Sequence, residues 1–466
     1  MVEQAINSVI SAARQVLGPR GLIEAAEDIA PWLTDWRGRY HGAAAAILAP
    51  ATTTEVAAIV RLAVEHRVAL VPQGGNTSMV GGATPPADGS ALIVSLRRMN
   101  AIRKLDAKAN IVTAEAGVIL GNLHDAAATQ GRRFPLSLGA KGSATIGGLV
   151  STNAGGTQVL RFGTMRSLVL GVEAVMPDGS IHDGLAALRK DNRGYDLNQL
   201  LVGAEGTLGI VTAATLRLVS AIVDRAVAWV GVDDPAMALK LLRLMEDQAG
   251  DAIESFEILP NESLAAVLAH IPGTRAPLQG QHAWHVLIEY VGEGATNALA
   301  ALFQHGLIED VVVSSNEAQA EAFWRIRDSI SEAERATGPA MQHDVSVPVD
   351  AMPAFMIDAA QVVERAFPGV HASAFGHLGD GNVHFHVRAP QGVDAGSWGA
   401  TVGEAASHMV HDLVTAAGGS ISAEHGIGQM KREELVRLSP PSRIAMLRAI
   451  KGAIDPLNIM NPGKLL

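Results

Sequence analysis

No cysteine occurs among the 466 residues. Its absence excludes disulfides, thiolate metal sites, cysteine nucleophiles and cysteinyl cofactor links, and suits a reducing compartment such as the cytoplasm. Aromatic residues are only 4% of the chain. The apolar content, 48%, is therefore mainly Ala, Val, Leu and Ile, the composition of packed helix and sheet layers. Positive charge is in deficit, with 36 Lys and Arg against 47 Asp and Glu and a net charge of -11. Nucleic acid, which needs clustered cations, is not an expected partner. No apolar run approaches the ~20 residues of a membrane span. The opening stretch, MVEQAINSVISAARQVLG, lacks a basic start and a small-residue cleavage site, and is expected to be an amphipathic helix rather than a signal peptide. Two nucleotide signatures are also missing. GEGATN (292–297) and GAEGTLG (203–209) fail the glycine pattern of a dinucleotide-binding turn, and no P-loop lysine motif occurs.

Glycine, by contrast, is abundant at 48 residues. The stretch TTTEVAAIVRLAVEHR (52–67) reads as a helix capped by Thr52 or Thr53, with Glu55 near its positive end. The apolar strand VALVP (68–72) follows, and from 73 to 220 strands alternate with glycine-rich turns. Near residue 221 the character changes. AVAWVGV (226–232) and HAWHVLIEY (282–290) read as strands, PAMALKLLRLMEDQA (235–249) and NEAQAEAFWRIRDSISEAERA (316–336) as helices. This pattern predicts a first domain over 1–220, a second over 221–420, and a tail over 421–466 that returns to the first.

Two glycine-rich runs dominate the first half, VPQGGNTSMVGG (71–82) and PLSLGAKGSATIGGLVSTNAGG (135–156). Consecutive glycines let backbone N–H groups converge on an anion. Gly142, Ser143, Thr145, Thr152 and Asn153 add donors in the second run. Together the runs point to one large phosphorylated cofactor; the alternative is a set of tight turns in a β-rich domain.

The stretch FGHLGDGNVHFHV (375–387) reads as a hairpin with Asp380-Gly381 as a two-residue loop. That register pairs His377 with His384 and Phe375 with His386, and places the three histidines on one face with Phe385 on the other. Opposed Cβ atoms lie ~5 Å apart, which suits a single metal ion. In SAEHGIG (422–428), Glu424 supplies a hard oxygen ligand and His425 a base. Three protein ligands with an open fourth position are the pattern of catalytic zinc. Adjacent Glu424 and His425 can face one site only where the strand breaks, which Gly426 and Gly428 allow. The alternative is a pair of buried strand histidines beside a common turn. On the helix over 316–336, Arg327 and Ser331 are four apart, share a face and could grip a carboxylate. The expected strand MQHDVSVP (341–348) brings Gln342 and His343 to the same region.

Taken in order, PQGGNTSMVGG, LGAKGSATIGG, TNAGG, GYDLNQLLVGAEGTLGIVT, HDVSVP, GHLGDGNVH, AEHGIG and NPGK resemble the FAD-linked D-2-hydroxy-acid dehydrogenases over nearly the whole chain. That group is similar to the vanillyl-alcohol-oxidase (PCMH-type) flavoproteins. It includes D-2-hydroxyglutarate dehydrogenases, D-lactate dehydrogenases and the glycolate oxidase flavin subunit. The resemblance implies an α+β fold: a two-part FAD-binding domain with an inserted antiparallel-sheet substrate cap. It implies FAD contacts at Pro72, Gln73, Gly74, Gly75, Asn76, Thr77, Ser78 and Gly81 in the first run. In the second they fall at Leu138, Gly139, Gly142, Ser143, Thr145, Gly148, Thr152, Asn153, Gly155 and Gly156. Glu205, Gly206, Ile210 and Asn461 complete the implied set. Asn76 stands where some relatives carry a flavin-linked histidine, so FAD is expected to be non-covalent.

The resemblance further implies a divalent metal, zinc foremost, on His377, His384 and Glu424, with His425 as base and Arg327, Ser331, Gln342 and His386 as substrate contacts. Three positions depart from the D-2-hydroxyglutarate enzymes, which typically carry Lys at Gln342, Asn at His386 and Thr at Ser331. Losing that cation weakens the case for a dicarboxylate. The implied reaction oxidises a D-2-hydroxy acid, D-2-hydroxyglutarate or D-lactate, to the 2-oxo acid by hydride transfer to flavin. An electron-transfer flavoprotein or a quinone is the expected acceptor, and a homodimer the default assembly. Two alternatives stand: the flavin subunit of a multi-subunit glycolate-oxidase-like complex, and a metal-dependent hydrolase, which leaves the paired glycine runs unexplained.

Overall fold

The computed structural model describes residues 2–188 and 190–466. The chain divides into two compact units. One comprises the chain as far as Gly156, Gly163–Ala221 and Glu424–Leu466; the other comprises Thr157–Phe162 and Ile222–Ala423.

In the first unit, the helix Thr53–His66 is set at both ends by local chemistry. Thr52 caps it by accepting from the Glu55 amide, and the Glu55 carboxylate accepts from Ala51 in return. Arg67, at φ 52°, ends it in the left-handed region. Its buried face, Val56, Ala57, Ile59, Val60 and Ala63, shares a core with Ile6, Val9, Ile10, Ala13 and Leu17 of the helix Val2–Leu17. Beneath them lie the short parallel-paired strands Ile47–Leu48, Ala91–Ser95 and Ala69–Gln73. The C-terminal segment pairs here too: Leu70 donates to Ile459 O and Asn461 donates to Leu70 O, both at 2.8 Å. A separate antiparallel sheet runs in the order Ile102–Asp106, Ile111–Glu115, Ile210–Arg217, Val169–Val175, Ile181–Asp183.

Among the described residues, the second unit is built on a seven-stranded antiparallel sheet. Its order is Val311–Val313, Arg225–Val232, Trp284–Val291, Ile253–Pro260, His371–His377, Asn382–Arg388, Ala340–Ser346. Helices Pro235–Ala249, Met352–Ala366 and Glu404–Ala416 pack on Phe256, Ile258, Val345, Val383 and Phe385 of one face. Helices Asn261–His270, Glu317–Asp328 and Ile330–Arg335 pack on Val227, Trp229, Leu259, Leu287 and Phe375 of the other. Both faces are covered, so strands such as AVAWVGV read as unbroken apolar runs. The single helix expected over 316–336 is two. Ser329, at φ −84° and ψ −3°, separates them, which ends the regular spacing on which an Arg327–Ser331 face depends. No helix among the described residues is long and apolar enough to cross a membrane.

Candidate functional site

The hairpin that carries the histidines closes differently from the sequence expectation. His377 pairs with Asn382, Phe375 with His384 and Ser373 with His386, a register two residues away from the expected one. A two-residue type I′ loop needs positive φ at both central positions. Here Gly381 alone has it, at 81°. The connection is instead the four residues Leu378–Gly381. The Asp380 and Gly381 amides both donate to His377 O, and Asp380 accepts from the Asn382 amide at 3.0 Å. Because the side-chain period is two, a shift of two keeps every residue on its face. His377, His384 and His386 therefore still share one side of the sheet, and the rings of His377 and His384 lie 5.4 Å apart between centroids.

Neighbouring strands complete this face. Glu257 is the cross-strand partner of His377, Asp344 of His384 and Gln342 of His386. From the covering helix, Arg327 donates through Nε to Glu257 Oε2 at 2.7 Å and through Nη2 to His377 Nε2 at 2.6 Å. The latter contact requires His377 Nε2 to act as an acceptor, the form in which it can also ligate a metal. Burial, with the neighbouring Arg327 cation adding to it, pushes His384 well below the usual histidine range, so it too stands neutral. Asn382 donates to Asp344 Oδ1 at 2.9 Å. His386 Nδ1 is hydrogen-bonded to Glu334 Oε2, and Ser263 donates to the other oxygen of Glu334 at 3.2 Å. Two neutral imidazoles side by side supply nitrogen donors of the kind a divalent ion takes.

Two expectations change here. His343 points away from the three histidines: it bonds Phe385 O and Ser407, both at 2.9 Å, on the opposite face, as pleat alternation from Gln342 requires. Ser331 is exposed, whereas Arg327 is directed at Glu257. Sequence reasoning missed Glu257 and Glu334. The available signal was a carboxylate inside the otherwise apolar strand IESFEILP, and another on the helix Ile330–Arg335 whose neighbours Ile330 and Ala333 are buried.

The first unit holds the glycine runs. They lie directly against each other: a Cβ on Gly75 would fall 1.9 Å from Ser143 O, and one on Gly74 would fall 2.1 Å from Thr145 Oγ1. Gly156 is equally tight, at 2.1 Å from Ser137 O, while Gly139 and Gly142 face open space. Asn76 and Asn153 adopt left-handed backbone at φ 53° and 50°. Among the described residues, the buried oxygens Gln73 Oε1, Thr145 Oγ1 and Asn461 Oδ1 have no hydrogen-bond partner. Open glycines beside unsatisfied buried oxygens fit a polar ligand that closes over backbone. Ile210 differs from the other expected contacts, because its side chain lies in the hydrophobic core and leaves only its backbone for a ligand.

Glu205 has a further task. Its carboxylate accepts from the amides of Ile427 and Gly428, each at 2.7 Å, and Asn461 donates to its carbonyl at 2.7 Å. It thus clasps the segment that carries Glu424 and His425. Burial pushes its carboxyl up, against the two amides that favour the charged form. Gly426 and Gly428, at φ 79° and 54°, break the chain beside His425. In the second unit, Ala423 donates to Asp344 O at 3.4 Å, so the chain leaves the histidine face next to Asp344 and continues into Glu424.

Two family patterns match the sequence: FAD binding domain over residues 44–184, and FAD linked oxidases, C-terminal domain, over residues 223–465. A mitochondrial D-2-hydroxyglutarate dehydrogenase of Arabidopsis thaliana is 37% identical over 98% of this chain and 81% of its own. The D-2-hydroxyglutarate dehydrogenase of Xanthomonas citri pv. viticola is 36% identical over 94% of this chain and 92% of its own. The solved structure of p-cresol methylhydroxylase with substrate bound superposes with a TM-score of 0.78 at 17% identity, over 99% of this chain and 97% of that one. It shares the fold.

Proposed function

The chain belongs to the family of FAD-linked oxidases, within the D-2-hydroxy-acid dehydrogenase group, and on that premise we propose that it oxidises a D-2-hydroxy acid to the 2-oxo acid. The glycine runs with Gln73, Thr145 and Asn461 would hold FAD non-covalently, and FAD supplies the acceptor for the hydrogen and electron pair that leave C2. His377, His384 and Glu424 would hold a divalent ion, zinc foremost, whose charge acidifies the substrate hydroxyl.

The protein's own side chains do the rest. His425 takes the hydroxyl proton, a task suited to an imidazole at neutral pH. The broken backbone at Gly426 gives it reach, and Glu205 fixes the segment behind it. Arg327 orients the substrate carboxylate, with its guanidinium plane preset by Glu257. Were His377 Nε2 to hold the metal it could not also accept from Arg327, which would leave that Nη2 donor for the substrate carboxylate. Proton to His425, and hydrogen with its electron pair to the flavin, balance the conversion of alcohol to ketone. An electron-transfer flavoprotein or a quinone would take the electrons onward, and a cytoplasmic homodimer is the working form we assign.

The observation that carries this reading is the neutral His377–His384 pair flanked by Arg327 on one sheet face. The purified protein should be yellow, and a D-2-hydroxy acid should bleach it anaerobically, at least tenfold more slowly after chelation. A protein that stays colourless with added FAD would overturn the assignment, and bleaching indifferent to chelation would remove the metal.

A further inference from the structure

We propose that the buried Glu334–His386 pair makes the pocket select a 2-hydroxy acid with one carboxylate and a small uncharged side chain, and reject a second carboxylate. The inference rests on the dehydrogenase reading and refines it.

Charge and burial on the histidine face carry the argument. Glu334 and His386 are 4% and 6% exposed, and the carboxylate is fixed at both oxygens, by His386 Nδ1 and by Ser263. The remaining nitrogen of His386 is what the pair offers to its surroundings. Directly across the strands from His386 stands Gln342, an uncharged amide. The nearby cation, Arg327, is already held by Glu257, which is 1% exposed. Arg327, Glu257, Glu334 and Gln342 thus bring one permanent positive charge and two buried carboxylates. A substrate carboxylate that enters to be gripped by Arg327 uses the available cation. A second one would meet Glu334 through a single imidazole, giving up its hydration against a buried carboxylate.

The shape of the face agrees. The Phe375 ring stands 5.0 Å from the His384 ring and 5.3 Å from the His386 ring, centroid to centroid. An apolar ring packed against both imidazoles offers no polar partner to a second carboxylate.

The test uses the full-length protein loaded with FAD and metal and an artificial dye as acceptor. It compares kcat/KM for D-lactate, D-2-hydroxybutyrate and D-2-hydroxyglutarate. Wild type should favour the two monocarboxylates by tenfold or more. E334Q should narrow that ratio several-fold, and Q342K should narrow or reverse it, both through KM for the dicarboxylate. Preference of the wild type for D-2-hydroxyglutarate would overturn the inference alone, leaving the dehydrogenase reading intact. So would a ratio unmoved in both active variants. If no 2-hydroxy acid bleaches the flavin, the dehydrogenase reading falls and takes this preference with it. The wild-type ratio decides the matter even where a variant fails to fold.

Discussion

The two units of this chain prepare a ligand site by opposite means. The first uses backbone: Gly74, Gly75 and Gly156 sit where no Cβ fits, and Glu205 spends its carboxylate on two amides rather than presenting it outward. The second uses side chains: Glu257, His377, His384, His386, Gln342 and Asp344 project from four strands onto one face, and helices supply Arg327 and Glu334. Backbone cradles bind whatever large ligand fits their contour and tolerate little change in shape. Side-chain faces tolerate changes in shape but depend on charge balance. The two should therefore fail differently.

The largest effect should come from the charge-balanced face. E257A leaves the mostly buried Arg327 without its carboxylate. Breaking a buried pair in this way costs about 3–5 kcal/mol, which denaturant unfolding followed by tryptophan fluorescence would read. Retention of FAD colour in the folded fraction of E257A would sharpen the contrast, and equal loss of both would break it.

Acid should act on the same unit. His285 accepts from Trp229 Nε1 at 3.1 Å and is driven down to about 4, chiefly by burial, then by His282. The unfolded chain takes up this proton near pH 6.5 and the folded chain only near 4, so the unfolded state holds more protons between those values. Stability from this residue is complete above pH 6.5 and falls by roughly 3 kcal/mol on acidification to pH 4. H285N should flatten that dependence.

The smallest effects separate glycines within the first unit. G75A forces a Cβ to 1.9 Å from a carbonyl oxygen, an overpacking worth about 1–3 kcal/mol. G142A meets no atom within 4 Å, and its stability should change by less than roughly 0.5 kcal/mol. If G142A keeps its stability and loses FAD affinity, the open glycine serves the ligand. If it loses neither, the cradle lies elsewhere in the run.

What could be read from the sequence follows the same division. The helix Thr53–His66 and the glycine runs were legible because their causes are local: a cap three residues from its partner, and glycine beside glycine. The common face of the three histidines was legible because a period of two survives a two-residue slip. The register itself was not, since it turned on which of Asp380 and Gly381 takes positive φ. His343 was misplaced although alternation from Gln342 already sends it to the other side. Glu257 and Glu334 stayed hidden because they reach their partners His377 and His386 from elements far away in the chain, and only folding brings those elements together.

The pairing of Leu70 with Ile459 and Asn461 sets an order of events during synthesis. A ribosome delivers Leu70 long before its partners, with the whole second unit made in between. The second unit, complete by Ala423, emerges whole before the first can close. Assembly thus runs against the usual direction, in which the N-terminal part folds first. The glycine cradle can close only after the second unit has emerged, because Asn461, which bonds Gly82 O and Glu205 O, follows that unit in the chain.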